Sequence, residues 1–168
     1  MNRNNEYNQT FIRLLSEREK IFKEYANKCH LSEAEHWLLC TIYMGILNET
    51  EYTQKECSEL WAFPKQTINS AAKKLMSKNL IYLELSNHDK RKKILHLTEW
   101  GSKVAKEIMD PLLICEESAF DALNEKEKEI FISSLEKIYQ KLKSNMDYLY
   151  RENKVDFEVL SKGEKDEI

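Results

Sequence analysis

Residues 89–93 read Asp-Lys-Arg-Lys-Lys, five consecutive charges set between two apolar runs in a chain whose net charge is −3. Clustered cations do no covalent chemistry by themselves. What they do is attract an anionic polymer, and that attraction acts locally, within a Debye length of about 8 Å. The imbalance extends beyond the cluster: from Trp61 to Lys103, nine Lys and Arg face three Asp and Glu, a net +6 that leaves −9 for the rest of the chain. A basic segment on an acidic body is the charge pattern of a duplex-binding module, although a solvated charged face gives the same count.

Just upstream lies PKQTINSAAKKLMSKNLI, residues 64–81. Ile68, Ala71, Ala72 and Leu75 recur at helical spacing as an inner stripe, which turns Gln66, Asn69, Ser70 and Lys73 outward, with Lys65 and Thr67 alongside. This outer face is polar, short-chained and nearly free of acid. Side chains of this kind match the donors and acceptors of base edges.

Other reactive residue types are present without a comparable pattern. His36 and Cys40 stand one helical turn apart, near Cys29 and His30, a spacing open to a zinc or oxidation sensor. No CxxC pair accompanies them, and the four cysteines Cys29, Cys40, Cys57 and Cys115 read equally as small buried hydrophobes. Trp37, Tyr43, Tyr52 and Trp100 either line an effector cavity or pack in a core, with packing the favoured reading. Gly-rich phosphate loops, GxSxG and HExxH are all missing from the sequence, so no enzyme, cofactor or metal site is expected.

The elements that would position these residues follow from periodicity and punctuation. With 33% charged and 42% hydrophobic residues but only three Gly and two Pro, the 168-residue chain is predicted to be mainly helical. A first helix is predicted over 7–28, carrying Phe11 and Leu14. Ser32 with Glu35 and Thr53 with Glu56 form two capping boxes that open the second and third helices. Pro64 is assigned the first position of the fourth. IYLEL (81–85) and KILHL (93–97) read as a β-hairpin, with Ser86-Asn87-His88-Asp89 as its turn signal and the cationic cluster at its tip. Thr98 caps a long helix that Pro111 is expected to kink. Asn124 and Glu127 open a last helix bearing Phe131, Leu135, Ile138, Leu142, Met146 and Leu149. A polar first segment and the lack of any apolar run near the roughly 20 residues that span a bilayer predict a cytoplasmic protein with no membrane partner.

Two short helices, the second with a polar outer face, followed by a hairpin with a basic tip, make a winged helix-turn-helix. The expected organisation is 1–50 for N-terminal helices, 51–97 for the winged domain, 98–150 for long C-terminal helices and 151–168 for a polar tail.

From Phe11 to Tyr150 the sequence resembles the MarR family of bacterial transcriptional regulators. TQKECSEL followed by PKQTINSAAKKLMSKNLI carries part of the likeness, and Asp89-Lys90-Arg91 followed by Leu97-Thr98-Glu99-Trp100-Gly101 carries its most specific part. The resemblance implies that Arg91 enters the minor groove, that Asp89 holds the wing's geometry, and that Gln66 to Lys73 read the major groove. The DNA-binding set is then Lys65, Gln66, Thr67, Asn69, Ser70, Lys73, Asp89, Lys90, Arg91 and Lys92. It also implies a homodimer joined by the first, fifth and sixth helices, with Phe11, Leu14, Phe131, Leu135, Ile138 and Leu142 at the interface. Such a dimer binds an inverted repeat in double-stranded DNA, as a repressor on this reading, and is released by a small-molecule effector. Asn79 stands where the family usually has Gly, and Trp61 where a small residue is usual. The reactive cysteine of the peroxide-sensing branch, near the start of the first helix, is missing here. Two other readings fit the same residues: a helical protein-interaction module with a degenerate winged domain, and a metal- or redox-sensing regulator of the same fold.

Overall fold

The computed structural model describes residues 3–87 and 89–152. Their elements run α1 (Arg3–Lys28), α2 (Glu33–Leu47), α3 (Gln54–Leu60), α4 (Lys65–Ser77), β1 (Ile81–Leu85), β2 (Lys93–Leu97), α5 (Glu99–Phe120) and α6 (Glu125–Arg151). The chain divides into two compact units between Cys115 and Glu116. Among the described residues no helix is long and apolar enough to cross a membrane.

In the first unit, helix starts and stops follow the local chemistry. At both capping boxes the hydroxyl residue caps the helix and the glutamate returns the bond: Ser32 N–H donates to Glu35 Oε2 at 2.9 Å, and Thr53 N–H to Glu56 Oε2 at 2.7 Å. Pro64 sits one position earlier than expected. It is the cap of α4, with an extended ψ of 140°, and its carbonyl accepts from Thr67 and Ile68. At the far end of α4, Asn79 takes the left-handed conformation (φ 56°), and Leu80 N–H reaches back to the Leu75 carbonyl at 2.9 Å, closing a Schellman motif. Helix α1 begins four residues before the predicted start. Helix α5 continues through Pro111 to Phe120.

The core of this unit gathers Phe22 from α1, Leu38, Leu39 and Ile42 from α2, Ile68, Ala72 and Leu75 from α4, Leu95 and Leu97 from β2, and Ala105 and Met109 from α5. The predicted inner stripe of α4 is buried throughout. Each large side chain buried in this way contributes about 1.5–3 kcal/mol. Two long-range bonds fasten α5 to the helices that precede it. Tyr25 Oη donates to the Ile108 carbonyl at 2.5 Å, and Tyr43 Oη donates to the Asp110 carboxylate, which pushes the Tyr43 phenol up to about 12.

His36 lies fully buried in this core, flanked edge-on by the rings of Tyr25 and Trp37, and neither ring nitrogen has a hydrogen-bond partner among the described residues. Burial pushes its pKa below the ordinary 6.5, so the folded imidazole is neutral. Since the unfolded chain takes up the proton more readily, this contribution to stability is complete above pH 6.5. It is lost as pH falls below that and through the folded value. The carboxyls of Glu35, Glu56 and Asp89, held below 4.5, 4.5 and 3.8, weigh only in stronger acid. His36→Leu is therefore expected to flatten the fall in unfolding free energy as pH drops below about 6.5, a slope of up to ~1.4 kcal/mol per pH unit. Urea melts across that range measure it, and an unchanged slope in the variant would rule His36 out as the source.

In the second unit, Asn124 caps α6 through a third capping box, its side chain accepting from Glu127 N–H at 3.1 Å. Phe120 and Phe131 meet edge to face with centroids 6.4 Å apart. Helix α6 buries no residue within the single chain.

Candidate nucleic-acid interface

Helices α3 and α4 meet at a tight turn in which Ala62 takes a left-handed φ of 53° and Ser58 Oγ donates to the Phe63 carbonyl at 2.7 Å. Trp61 fixes this turn from behind. Its ring stacks on Trp37 with centroids 4.1 Å apart, and its Nε1–H donates to Thr41 Oγ1 at 2.7 Å. The large residue in the turn is thus a pin between α2 and the helix pair. Lys78, which caps α4, donates to the buried carboxylate of Glu35 at 3.0 Å, joining the end of α4 to the start of α2. Burial alone would raise Glu35, but bonds from Ser32 and then Lys78 outweigh it and hold the carboxyl below 4.5.

On this base α4 exposes Lys65, Gln66, Asn69, Ser70, Lys73 and Lys74, while Thr67 is half-buried. Its first turn carries no acid.

Strands β1 and β2 pair antiparallel, Ile81 opposite Leu97 and Leu85 opposite Lys93. Thr53 adds a bridge to Ile94, and Leu95 N–H donates to the Tyr52 carbonyl at 2.9 Å, so the hairpin is stitched to the residues that open α3. At the tip, Lys92 N–H donates to the Asp89 carbonyl and Ser86 N–H to the Lys92 carbonyl, each at 2.9 Å. Asp89 also grips Arg91: Oδ1 accepts from the Arg91 backbone N–H at 3.1 Å and from Nε at 3.2 Å, and Oδ2 from Nη2 at 3.4 Å. The side-chain bond to Arg91 is the chief reason the Asp89 carboxyl lies below its ordinary value. Arg91 is nevertheless 92% exposed, so an aspartate orients an outward-facing guanidinium. Lys90 and Lys92 are exposed beside it. His88, part of the predicted turn signal, lies outside the described residues, as does the predicted tail from Asn153 onward.

The Leu97-Thr98-Glu99-Trp100-Gly101 segment acquires a mechanical meaning here. Thr98 Oγ1 donates to the Asn79 carbonyl at 2.6 Å and accepts from Gly101 N–H at 2.8 Å, so one hydroxyl closes the turn after α4 and caps α5.

The four aromatic residues proposed as pocket-lining or core stand in four settings. Trp37 is core, and Tyr43 is tied to Asp110. Tyr52 lines a concavity of about 300 Å³ with Ile42, Gly45 and Leu95, and Trp100 is 55% exposed at the start of α5. Cys29 and Cys40 are half-buried, and burial pushes the Cys57 thiol up to about 12, which keeps it protonated and unreactive. Among the described residues no three His, Cys, Asp or Glu side chains come together as metal ligands. The apolar residues assigned to an interface are largely uncovered: Leu14, Phe131, Ile138 and Leu142 are about half exposed, and Phe11 and Leu135 partly so.

Sequence reasoning missed Gln54 and Lys55. They line a concavity of about 460 Å³ with Lys65, Gln66 and Asn69, and another of about 490 Å³ with Arg91, Lys92 and Lys93. Their position just after the Thr53 cap was the available signal.

A helix pair with an exposed polar second helix, backed by a hairpin with an arginine tip, defines a winged helix-turn-helix protein. By sequence, no family model and no curated protein matches the chain. By structure it is similar to a MarR family regulator from Neisseria meningitidis, with 24% identity, a TM-score of 0.69 and coverage of 88% of this chain and 99% of that one. It is also similar to MepR from S. aureus in its DNA-binding conformation (20% identity, TM-score 0.69, coverage 81% and 98%). The same protein in a MepR-DNA complex gives 20% identity, a TM-score of 0.66 and coverage of 81% and 96%. The fold is therefore the winged-helix fold of the MarR regulators, with the expected six helices and two-stranded wing among the described residues.

Proposed function

We propose that this chain is a non-enzymatic, sequence-specific DNA-binding transcriptional regulator that acts as a homodimer on an inverted repeat. The observation that carries the reading is the pairing of an exposed, acid-poor α4 face with an arginine-tipped wing, both anchored to α3. A helix of this polarity fits the major groove and presents Gln66, Asn69 and Ser70 to base edges, while a wing reaches the neighbouring minor groove. Lys65, Thr67, Lys73, Lys90 and Lys92 would hold phosphates, and Asp89 would aim Arg91. Two of the similar structures support the reading, MepR in a complex with DNA and MepR in its DNA-binding conformation. In this reading residues 51–97 are the DNA-binding domain, and 1–50 with 98–150 support and dimerise it. Repression, and release by a small effector bound near Tyr52, belong to the same proposal.

The direct test is to incubate the purified chain with genomic fragments, sequence those retained, and titrate binding to a retained fragment and to a scrambled duplex against salt. The reading expects a retained fragment with an inverted repeat, bound at least 10³-fold more tightly than the scrambled duplex. Equal binding to both would leave a DNA-binding protein without sequence specificity, and no binding would favour a protein-interaction module instead.

Dimerisation rests on the uncovered apolar stripe of α6, where Phe131, Ile138 and Leu142 lie open to solvent in one chain. Ending the chain after Asn124 is expected to yield a monomer by sedimentation. Operator affinity should fall by roughly 10²–10⁴, because each half-site is then held singly. A truncated chain that still sediments as a dimer would put the interface elsewhere.

A further inference from the structure

Two concavities flank the start of α3, and Lys55 lines both. One, bounded by the wing, brings Lys55 together with Arg91, Lys92 and Lys93, and with the carboxylates of Glu56 and Glu59. The other, bounded by α4, sets it beside Lys65, Gln66 and Asn69 with no acid. A DNA strand bordering a groove occupied by α4, and continuing to the wing, has to cross the first turn of α3. The cation exposed there is Lys55, with 70% of its side chain in solvent. In the free protein its ammonium lies 3.6 Å from Glu59 Oε1. That is longer than a charge-assisted hydrogen bond and typical of a weak exposed pair, which a phosphate can displace. Glu56 is committed differently: its Oε2 accepts from Thr53 N–H and Oγ1 at 2.7 and 2.8 Å, while Oε1 stands 3.9 Å from Lys92. Glu59 is thus the acid paired with Lys55.

Resting on the DNA-binding reading above, we propose that Lys55 is a backbone-phosphate contact that joins the footprint of α4 to that of the wing. Glu59 restrains it until DNA arrives. The ammonium exchanges the Glu59 carboxylate for a phosphate oxygen, no covalent bond changes, and the counterions condensed on that phosphate are released. The contact carries no base information, so it adds affinity for any duplex. Glu59 counters that addition and lowers the protein's hold on any duplex, non-cognate DNA included.

The test uses the full chain as wild type, Lys55→Met, Glu59→Gln and the double variant, with thermal melts confirming equal folding. Each is titrated with salt on a retained operator fragment and on a random-sequence duplex of about 20 base pairs, two helical turns. Lys55→Met is expected to weaken both duplexes alike, by roughly tenfold per contact, and to reduce the salt slope by about one per subunit. Glu59→Gln is expected to tighten the random duplex several-fold, with that gain gone in the Lys55→Met background. If Lys55→Met matches wild type in affinity and slope while Arg91→Ala loses both, Lys55 is no contact and the inference fails with the DNA-binding reading intact. A Glu59→Gln gain that persists without Lys55 would show direct repulsion of phosphate and overturn the restraint. Wild-type protein that binds neither duplex would remove the underlying reading and the inference with it.

Discussion

Gly101→Ala is expected to cost most of the chain's folding stability, on the order of 4–5 kcal/mol or more, against the 5–15 kcal/mol typical of a native protein. A Cβ built on Gly101 would lie 1.7 Å from the Leu80 carbonyl oxygen, 2.6 Å from its carbon and 3.0 Å from its Cα. These are backbone atoms. Leu80 N–H is already committed to the Leu75 carbonyl, and the Leu80 carbonyl accepts from Thr98 N–H at 3.0 Å, so the strand entry has no free direction of retreat. Moving α5 away instead would open the packing around Ala105 and Met109, both buried to within 1%. The expected readout is loss of the cooperative urea transition, with Ser102→Ala, one residue on and exposed, as a control that melts like wild type. A Gly101→Ala protein with an unshifted midpoint would mean that the α4–β1 turn yields more easily than its bonds imply. Gly45→Ala should be milder. Its Cβ would meet one backbone atom, the Thr50 carbonyl oxygen at 2.5 Å, and the Tyr52 ring at 3.1 Å, against three backbone atoms at Gly101 with the nearest at 1.7 Å.

That glycine also marks how far the sequence could be read. Its place in a motif was visible, but its reason was not, because the reason is Leu80, reached only when the wing has folded back. What was legible is local. Both capping boxes of the first unit and the Asn124 box span four residues, the α4 inner stripe repeats every three to four, and both strands were bounded correctly because turn residues punctuate them. Pro64 missed by one position, since capping and first-turn prolines share nearly the same φ, here −55°. The start of α1 was missed because Arg3 to Glu6 has no apolar residue to set a period.

What was not legible joins residues far apart in sequence. Trp61 reaches Thr41 across 20 residues, Lys78 reaches Glu35 across 43, and Tyr25 reaches the Ile108 carbonyl across 83. The Thr53 to Ile94 bridge is of the same kind. No periodicity announces such pairs. Yet they join the helix pair, its turn and the wing into one platform, and this is why Lys55 could be noticed only in three dimensions.

The exposed side chains of that platform should fail separately when altered. Arg91→Ala is expected to weaken binding to operator and scrambled duplex alike, and to lower the salt slope by about one per subunit. The guanidinium stands almost wholly in solvent, and among the described residues Asp89 is its one side-chain partner, so the fold is expected to tolerate its loss. Thermal melts should not move. Asp89→Ala should leave the charge in place but release its aim, and so weaken binding less while keeping the slope. Gln66→Ala and Asn69→Ala, on the exposed face of α4, are expected to act at particular base pairs, costing about 1–3 kcal/mol per lost pair of base-edge bonds with the slope nearly unchanged. Lys73 shares that face, but its reach and point charge suit a phosphate, so Lys73→Ala should follow the Arg91 pattern. Salt titrations of each variant on both duplexes separate the two classes. An Arg91→Ala protein that keeps both affinities would reduce the basic wing to a solvated turn. The DNA-binding reading would then stand on the α4 face alone, which a protein-interaction module could equally present.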